Sequence, residues 1–233
     1  MQRGFFMSDI IEFFPIIKGL EKIEPVVLAK DFNKSITFER EEFSLRSCPG
    51  IRDLTHCGYI IPLWQDLIIS YDERQGISVR PSGNMVDQYG ESFYDIQFHD
   101  EKTLAGYSFG NEYVNFSMKL RCPWYVRTAK GTSLLVTPTF YNENPNFTVA
   151  SGIITSDCYP MLLAQVILKK FKGDIVLKKG TPLLQLIAIK DQPAIKIHDH
   201  DVLVKKKVDI LKNWLYSRMH AAGQYRNIGK IFK

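Results

Sequence analysis

Short apolar bursts set off by polar and turn-forming residues recur along most of this chain. The segments DIIEFFPII, GYIIPLWQDLIISY, GISVRP, FYDIQFH, YVNFSMKL, GTSLLVTPTFY, AQVILKKF, GDIVLKK and PLLQLIAI are rich in β-branched and aromatic residues. Gly, Pro, Asn and Asp separate them. Strands joined by turns carry this pattern. The expected fold is mainly β, a barrel or sandwich, with Leu134, Val136, Ile153, Ile154, Leu184 and Leu186 among its buried positions.

Two regions depart from that rhythm. Between residues 20 and 58 the pattern is irregular, and SCPGIRDLTHCGY places Pro49 and Gly50 ahead of one or two expected helical turns that end before Gly58. After residue 200 the period changes to that of a helix. Val204, Val208, Leu211, Leu215, Met219 and Ala222 form an apolar stripe, with Asp199 or Asp201 as N-cap and Gly223 as stop. The expected organisation is an N-terminal strand and irregular cap over residues 1–57, a β core over 58–198, and an amphipathic C-terminal helix with a basic tail over 199–233. No internal repeat or long linker divides the core.

Composition adds constraints. With 233 residues, 45% of them hydrophobic and 24% charged, the chain can bury a substantial core without disulfides. Its cysteines, Cys48, Cys57, Cys122 and Cys158, form no CxxC pair, so reduced thiols are expected rather than a zinc ribbon or a secreted scaffold. The opening MQRGFFMSDIIEFFPIIKG has only brief apolar runs, too broken for a leader or a membrane span. Met7 is a candidate start. The net charge of +5 belongs to the tail, since residues 205–233 carry eight Lys or Arg against Asp209 alone, a local +7 that leaves −2 for the rest.

Candidate chemistry concentrates in two stretches. SGIITSDCYP (151–160) runs from a strand into a turn, and KKGTPLLQLIAI (178–189) runs from a turn into a strand with Gln185 as a polar residue among apolar ones. A buried glutamine must stitch neighbouring backbone together or face a ligand. Together the stretches resemble the third and fourth motifs of the dUTPase and dCTP-deaminase superfamily, which implies a β-clip-like fold with a nucleotide pocket. Carried over residue by residue, the resemblance implies ligand-binding positions at Ser133, Thr155, Asp157 and Gln185. Gly152, Ile153 and Ile154 match the Gly-Val-Ile of that family, so Thr155 stands where its water-activating aspartate belongs. A threonine cannot serve as a carboxylate general base. AKGTSLL (129–135) is a weak counterpart of the phosphate-gripping motif, and the Gly-rich C-terminal arm has no counterpart. No catalytic residue is assigned.

A second resemblance covers more of the chain. CPGIRDLTHCGYIIPLWQD (48–66), CPWYVRTAKGTSLLVTPTFYNENPNFTVASGIITSDCY (122–159) and LKKGTPLLQLIAI (177–189) look like successive blocks of an uncharacterised family found in tailed phages, notably marine cyanobacterial myoviruses, and in some bacteria. It implies a viral protein of the virion or of the infected host's cytoplasm. Two functions stay open. One is a non-enzymatic phage protein, an oligomeric structural or binding component. The other is a nucleotide-binding or nucleotide-processing enzyme.

Other candidates are weaker. His198 and His200 alternate in IHDHD and could face one metal, but two imidazoles fall short of a site, so neither metal nor cofactor is expected. Cys48 and Cys57 beside His56 invite a thiol nucleophile, although packing is the expected role of a free cysteine. Trp64, Trp124 and Trp214, with Tyr59, Tyr125 and Phe140, could stack bases or sugars, but strand aromatics are expected to pack in the core, and FYNENPNF is expected in an exposed loop able to touch a partner. The tail offers Lys205, Lys206, Lys207, Lys212, Trp214 and Arg218 as a partner-binding surface. A homo-oligomer and other phage structural proteins are the expected partners. Nucleic acid is not, because these charges come without a recognition motif.

Overall fold

A computed structural model describes residues 11–16, 26–35, 48–72, 76–82, 96–102, 104, 106–107 and 109–190. The fold is mainly β, as the short β-branched and aromatic runs predict. In chain order it contains β1 (Glu12–Pro15), β2 (Val27–Leu28), α1 (Ala29–Ser35), α2 (Pro49–Thr55), β3 (Tyr59–Pro62), β4 (Asp66–Asp72), β5 (Gly76–Ser82), β6 (Ile96–His99) and β7 (Ser117–Arg127). These are followed by β8 (Thr132–Thr137), β9 (Phe147–Val149), β10 (Gly152–Ile154), β11 (Met161–Leu168), β12 (Gly173–Leu177) and β13 (Pro182–Lys190). The C-terminal helix and the IHDHD histidines lie outside the described residues.

Three antiparallel sheets form the body. One runs β1-β7-β11-β9, a second β10-β8-β13-β3-β2, and a third β12-β4-β5. The long strand β7 pairs with β11 on one side and on the other with β6 at Ser117–Leu120 and β1 at Trp124–Arg127. It crosses RCPWYVR in spite of Pro123, which has no N–H to give a ladder. The pairing with β11 breaks there. Tyr125 faces Met161 and Arg121 faces Leu163, so three residues of β7 around Pro123 stand opposite Leu162 alone.

Strand alternation fills one core from all three sheets. Met118, Leu120, Cys122, Trp124 and Val126 point inward from β7, Leu134 and Val136 from β8, Leu184 and Leu186 from β13, and Leu67 and Ile69 from β4. Trp64 joins them, so two of the three tryptophans are core residues. Ile153 is not. It is 63% exposed, because β10 is a three-residue strand at the end of its sheet and pairs only with β8. Its register partner Leu135 also lies on the outer side of β8, whose inward positions are Leu134 and Val136.

The predicted strand GYIIPLWQDLIISY is two strands around a turn at residues 63–65. The KKGTP segment docks on that turn. Leu63 N–H donates to the Thr181 carbonyl and Gly180 N–H to the Leu63 carbonyl, each at 2.7 Å. Asp66 accepts from Lys179 N–H at 2.7 Å and from Lys178 Nζ at 3.0 Å. These bonds hold its carboxyl below the usual carboxylate range, the Lys179 backbone contact contributing most.

Candidate functional site

The four positions singled out by the motifs do not converge. Ser133 is half-buried on β8, where it faces Ile189 of β13. Thr155 is exposed just beyond Ile154, which pairs with Leu134. Gln185 faces Thr137 at the opposite end of β8, four residues and about 13 Å along the strand from Ser133. Ser133, Thr155 and Asp157 therefore share one end of the β8–β10 pair, and Gln185 occupies the other.

At the Thr155 end the polar groups close a turn. The Thr155 carbonyl accepts from the N–H groups of Cys158 at 3.0 Å and Tyr159 at 2.9 Å. Ser156, 1% exposed, shares a 2.8 Å hydroxyl bond with Thr128, and Thr128 donates to the Thr132 carbonyl at 2.6 Å. Asp157 Oδ2 accepts from Gly131 N–H at 3.3 Å. The motif thus ties the turn after β10 to the turn between β7 and β8. Ser156, passed over in the sequence, is its buried member.

Three cysteines, Cys48, Cys57 and Cys158, are exposed and Cys122 is buried. Cys48 and Cys57, expected to pack, flank α2 at the surface instead, because that helix buries none of its residues. Complete burial pushes the Cys122 thiol far up and keeps it protonated. The Asp157 carboxylate, as hydrogen-bond acceptor and then as negative charge, raises the Cys158 thiol. Neither shift favours a thiolate nucleophile.

Gln185 is 1% exposed and its hydrogen bonds go to backbone groups. Its Nε2 donates to the Cys57 carbonyl at 2.6 Å and lies 3.4 Å from the Leu54 carbonyl, while its Oε1 accepts from Phe140 N–H at 3.4 Å. One side chain thereby joins the end of α2 to the loop after β8.

That loop walls a cavity of about 380 Å³. Thr137, Thr139 and Tyr141 line it from the end of β8, Thr148 from β9, and Leu183 from β13. Tyr113 and Lys169, which form an isolated bridge, close a further side. Burial, then the negative charges of Glu112 and Glu143, raise the Tyr113 hydroxyl and keep it a donor. FYNENPNF was the visible signal for this cavity, as a polar, turn-rich loop. Tyr113 and Lys169 carried none, since only the bridge between them brings them together.

Among the described residues no helix is long and apolar enough to cross a membrane, and no group of three or more His, Cys, Asp or Glu could hold a metal ion. The tail positions Lys205, Lys206, Lys207, Lys212, Trp214 and Arg218 lie outside the described residues. No protein-family model and no curated protein matches the chain. Among solved structures, the native dUTPase of EIAV is similar to it over 82% of this chain and 98% of that one, at 9% sequence identity and a TM-score of 0.36.

Proposed function

We propose that this chain is a non-enzymatic binding and assembly component that forms a homo-oligomer. One observation carries the reading: Gln185, the polar residue of the fourth motif, directs its whole amide to backbone partners. The third motif agrees, with threonine at position 155 and Asp157 held to the Gly131 N–H. A hydrolase of the resembled superfamily needs a carboxylate base at the first of these positions. The block resemblance supports a place among tailed-phage proteins.

The test is direct. The purified full chain with magnesium is expected to release no pyrophosphate from dUTP and no ammonia from dCTP. Turnover that survives purification and disappears in Gln185→Ala would overturn the reading. Mass spectrometry of purified phage particles tests the setting, and stoichiometric presence in the particle is the result expected of a structural component.

A further inference from the structure

The loop after β8 holds a conformation that its sequence resists. Tyr141 has φ 56°, the one positive value at a non-glycine residue among those described. Left-handed backbone crowds the Cβ of any L-residue, and a bulky one adopts it only when its surroundings over-determine it. Here they do. Thr139 Oγ1 donates to the Asn142 carbonyl at 2.7 Å, and Asn146 N–H to Asn144 Oδ1 at 2.9 Å. Lys169 N–H donates to the Asn146 carbonyl at 2.8 Å, and Gln185 accepts from Phe140 N–H. The result is an aromatic residue 55% exposed on the cavity lining, where hydrophobic burial alone would have drawn it inward.

The lining has a consistent chemistry. Pro182, Leu183 and Phe147 supply apolar wall, and Thr137, Thr139 and Thr148 supply hydroxyl groups. Glu143 and Asn144 add a carboxylate and an amide from the loop. At about 380 Å³ the space lies at the small end of the ~300–1,000 Å³ typical of ligand sites. Charge decides between ligand classes. Lys169 is the one cation in the lining and Glu143 opposes it, while Glu112 adds negative charge beside Tyr113. The lining has no net formal charge, and a phosphate would find its one cation offset by a carboxylate. A neutral ring with an apolar face and a hydroxyl edge meets an aromatic surface, acceptors and donors.

We propose that this cavity is a saccharide site. It takes one or two uncharged sugar rings, with Tyr141 as the stacking surface and Glu143 and Asn144 receiving the hydroxyl edge. Gln185 is a positioning residue for the loop through Phe140. The site is separate from the question of nucleotide turnover, so either proposal can fail alone.

The experiment titrates the full chain with maltose, cellobiose, lactose and diacetylchitobiose, read by saturation-transfer NMR, with dTMP as competitor. One of the disaccharides is expected to saturate in the millimolar range without displacement by dTMP. Tyr141→Gly suits the positive φ and removes the ring. It is expected to keep or raise the melting temperature while weakening that sugar about tenfold. Glu143→Gln is expected to weaken it as well. Retention on amylose, cellulose or chitin resin, released by the matching disaccharide, would assign the source as a polysaccharide, and saturation without retention a free sugar. Three results overturn the proposal: no saturation by any of the four sugars up to ~10 mM, unchanged affinity in both variants, or displacement of the sugar by dTMP.

Discussion

A glutamine inside a β core must find partners for two donors and an acceptor, and Gln185 finds them 128 and 131 residues earlier in the chain and 45 residues earlier. Its need for partners is legible in the sequence, because it interrupts an apolar strand. Their identity is not, since pairing at that separation is settled only when β13 joins β3 and β8. Gln185→Ala leaves two carbonyls and one N–H without this partner. It is expected to cost about 2 kcal/mol and to lower the melting temperature by roughly 4–8 °C. An unchanged melting temperature would show that water takes over these contacts. Asp66 provides a pH test at the same scale. Its folded-state pKa is depressed, so the stability it contributes is complete above its unfolded value of about 3.9 and is lost as pH falls through the folded value. Asp66→Asn keeps an oxygen for the Lys179 N–H but drops the charge. The variant is expected to melt below the wild type near neutral pH, with the gap narrowing in thermal melts as the pH falls below about 4. A gap that persists in acid would assign the effect to packing.

Elements were readable where apolar runs were long, and misread where strands were short. Leu134 and Val136 alternate inward along β8, whereas β13 buries Leu183, Leu184, Gln185 and Leu186 in a row, so a continuous apolar run rather than alternation announced its burial. Three residues of β10 carry too little periodicity to choose a face, and Ile153 went outward. The expected helical turns before Gly58 are α2, and Gly58 itself shows why the chain must turn there. It has φ +77°, and a Cβ on it would lie 1.9 Å from the Leu186 carbonyl oxygen of β13. Gly58→Ala is therefore expected to cost roughly 3 kcal/mol or more, from the backbone strain and the displaced strand together. Gly50, inside α2, has nothing within 4 Å of an added Cβ, so Gly50→Ala is expected to stabilise by about 0.5–1 kcal/mol. Urea denaturation of the two variants measures both signs. Equal effects would refute the account of this junction.

At the scale of the whole molecule, the outward turn of Ile153 bears on assembly. β10 ends its sheet with one side unpaired among the described strands, and an unpaired edge carrying an exposed isoleucine favours association with another chain. Among the described residues, every member of the buried cluster falls between Ile61 and Leu186. Edge and tail can therefore be separated by experiment. Light scattering of the full chain at micromolar concentration is expected to give a mass above the 26.9 kDa of one copy. Ile153→Lys places a charge on the edge and is expected to shift the mass toward one copy while the circular-dichroism spectrum stays β-rich. Deletion of residues 202–233 is expected to leave that spectrum β-rich, since every described strand ends by Lys190. If this deletion also lowers the mass, the tail takes part in assembly, and if only Ile153→Lys does so, the β10 edge carries it. A full chain already monomeric at that concentration would refute the assembly reading and leave the saccharide site to stand or fall by its own titration.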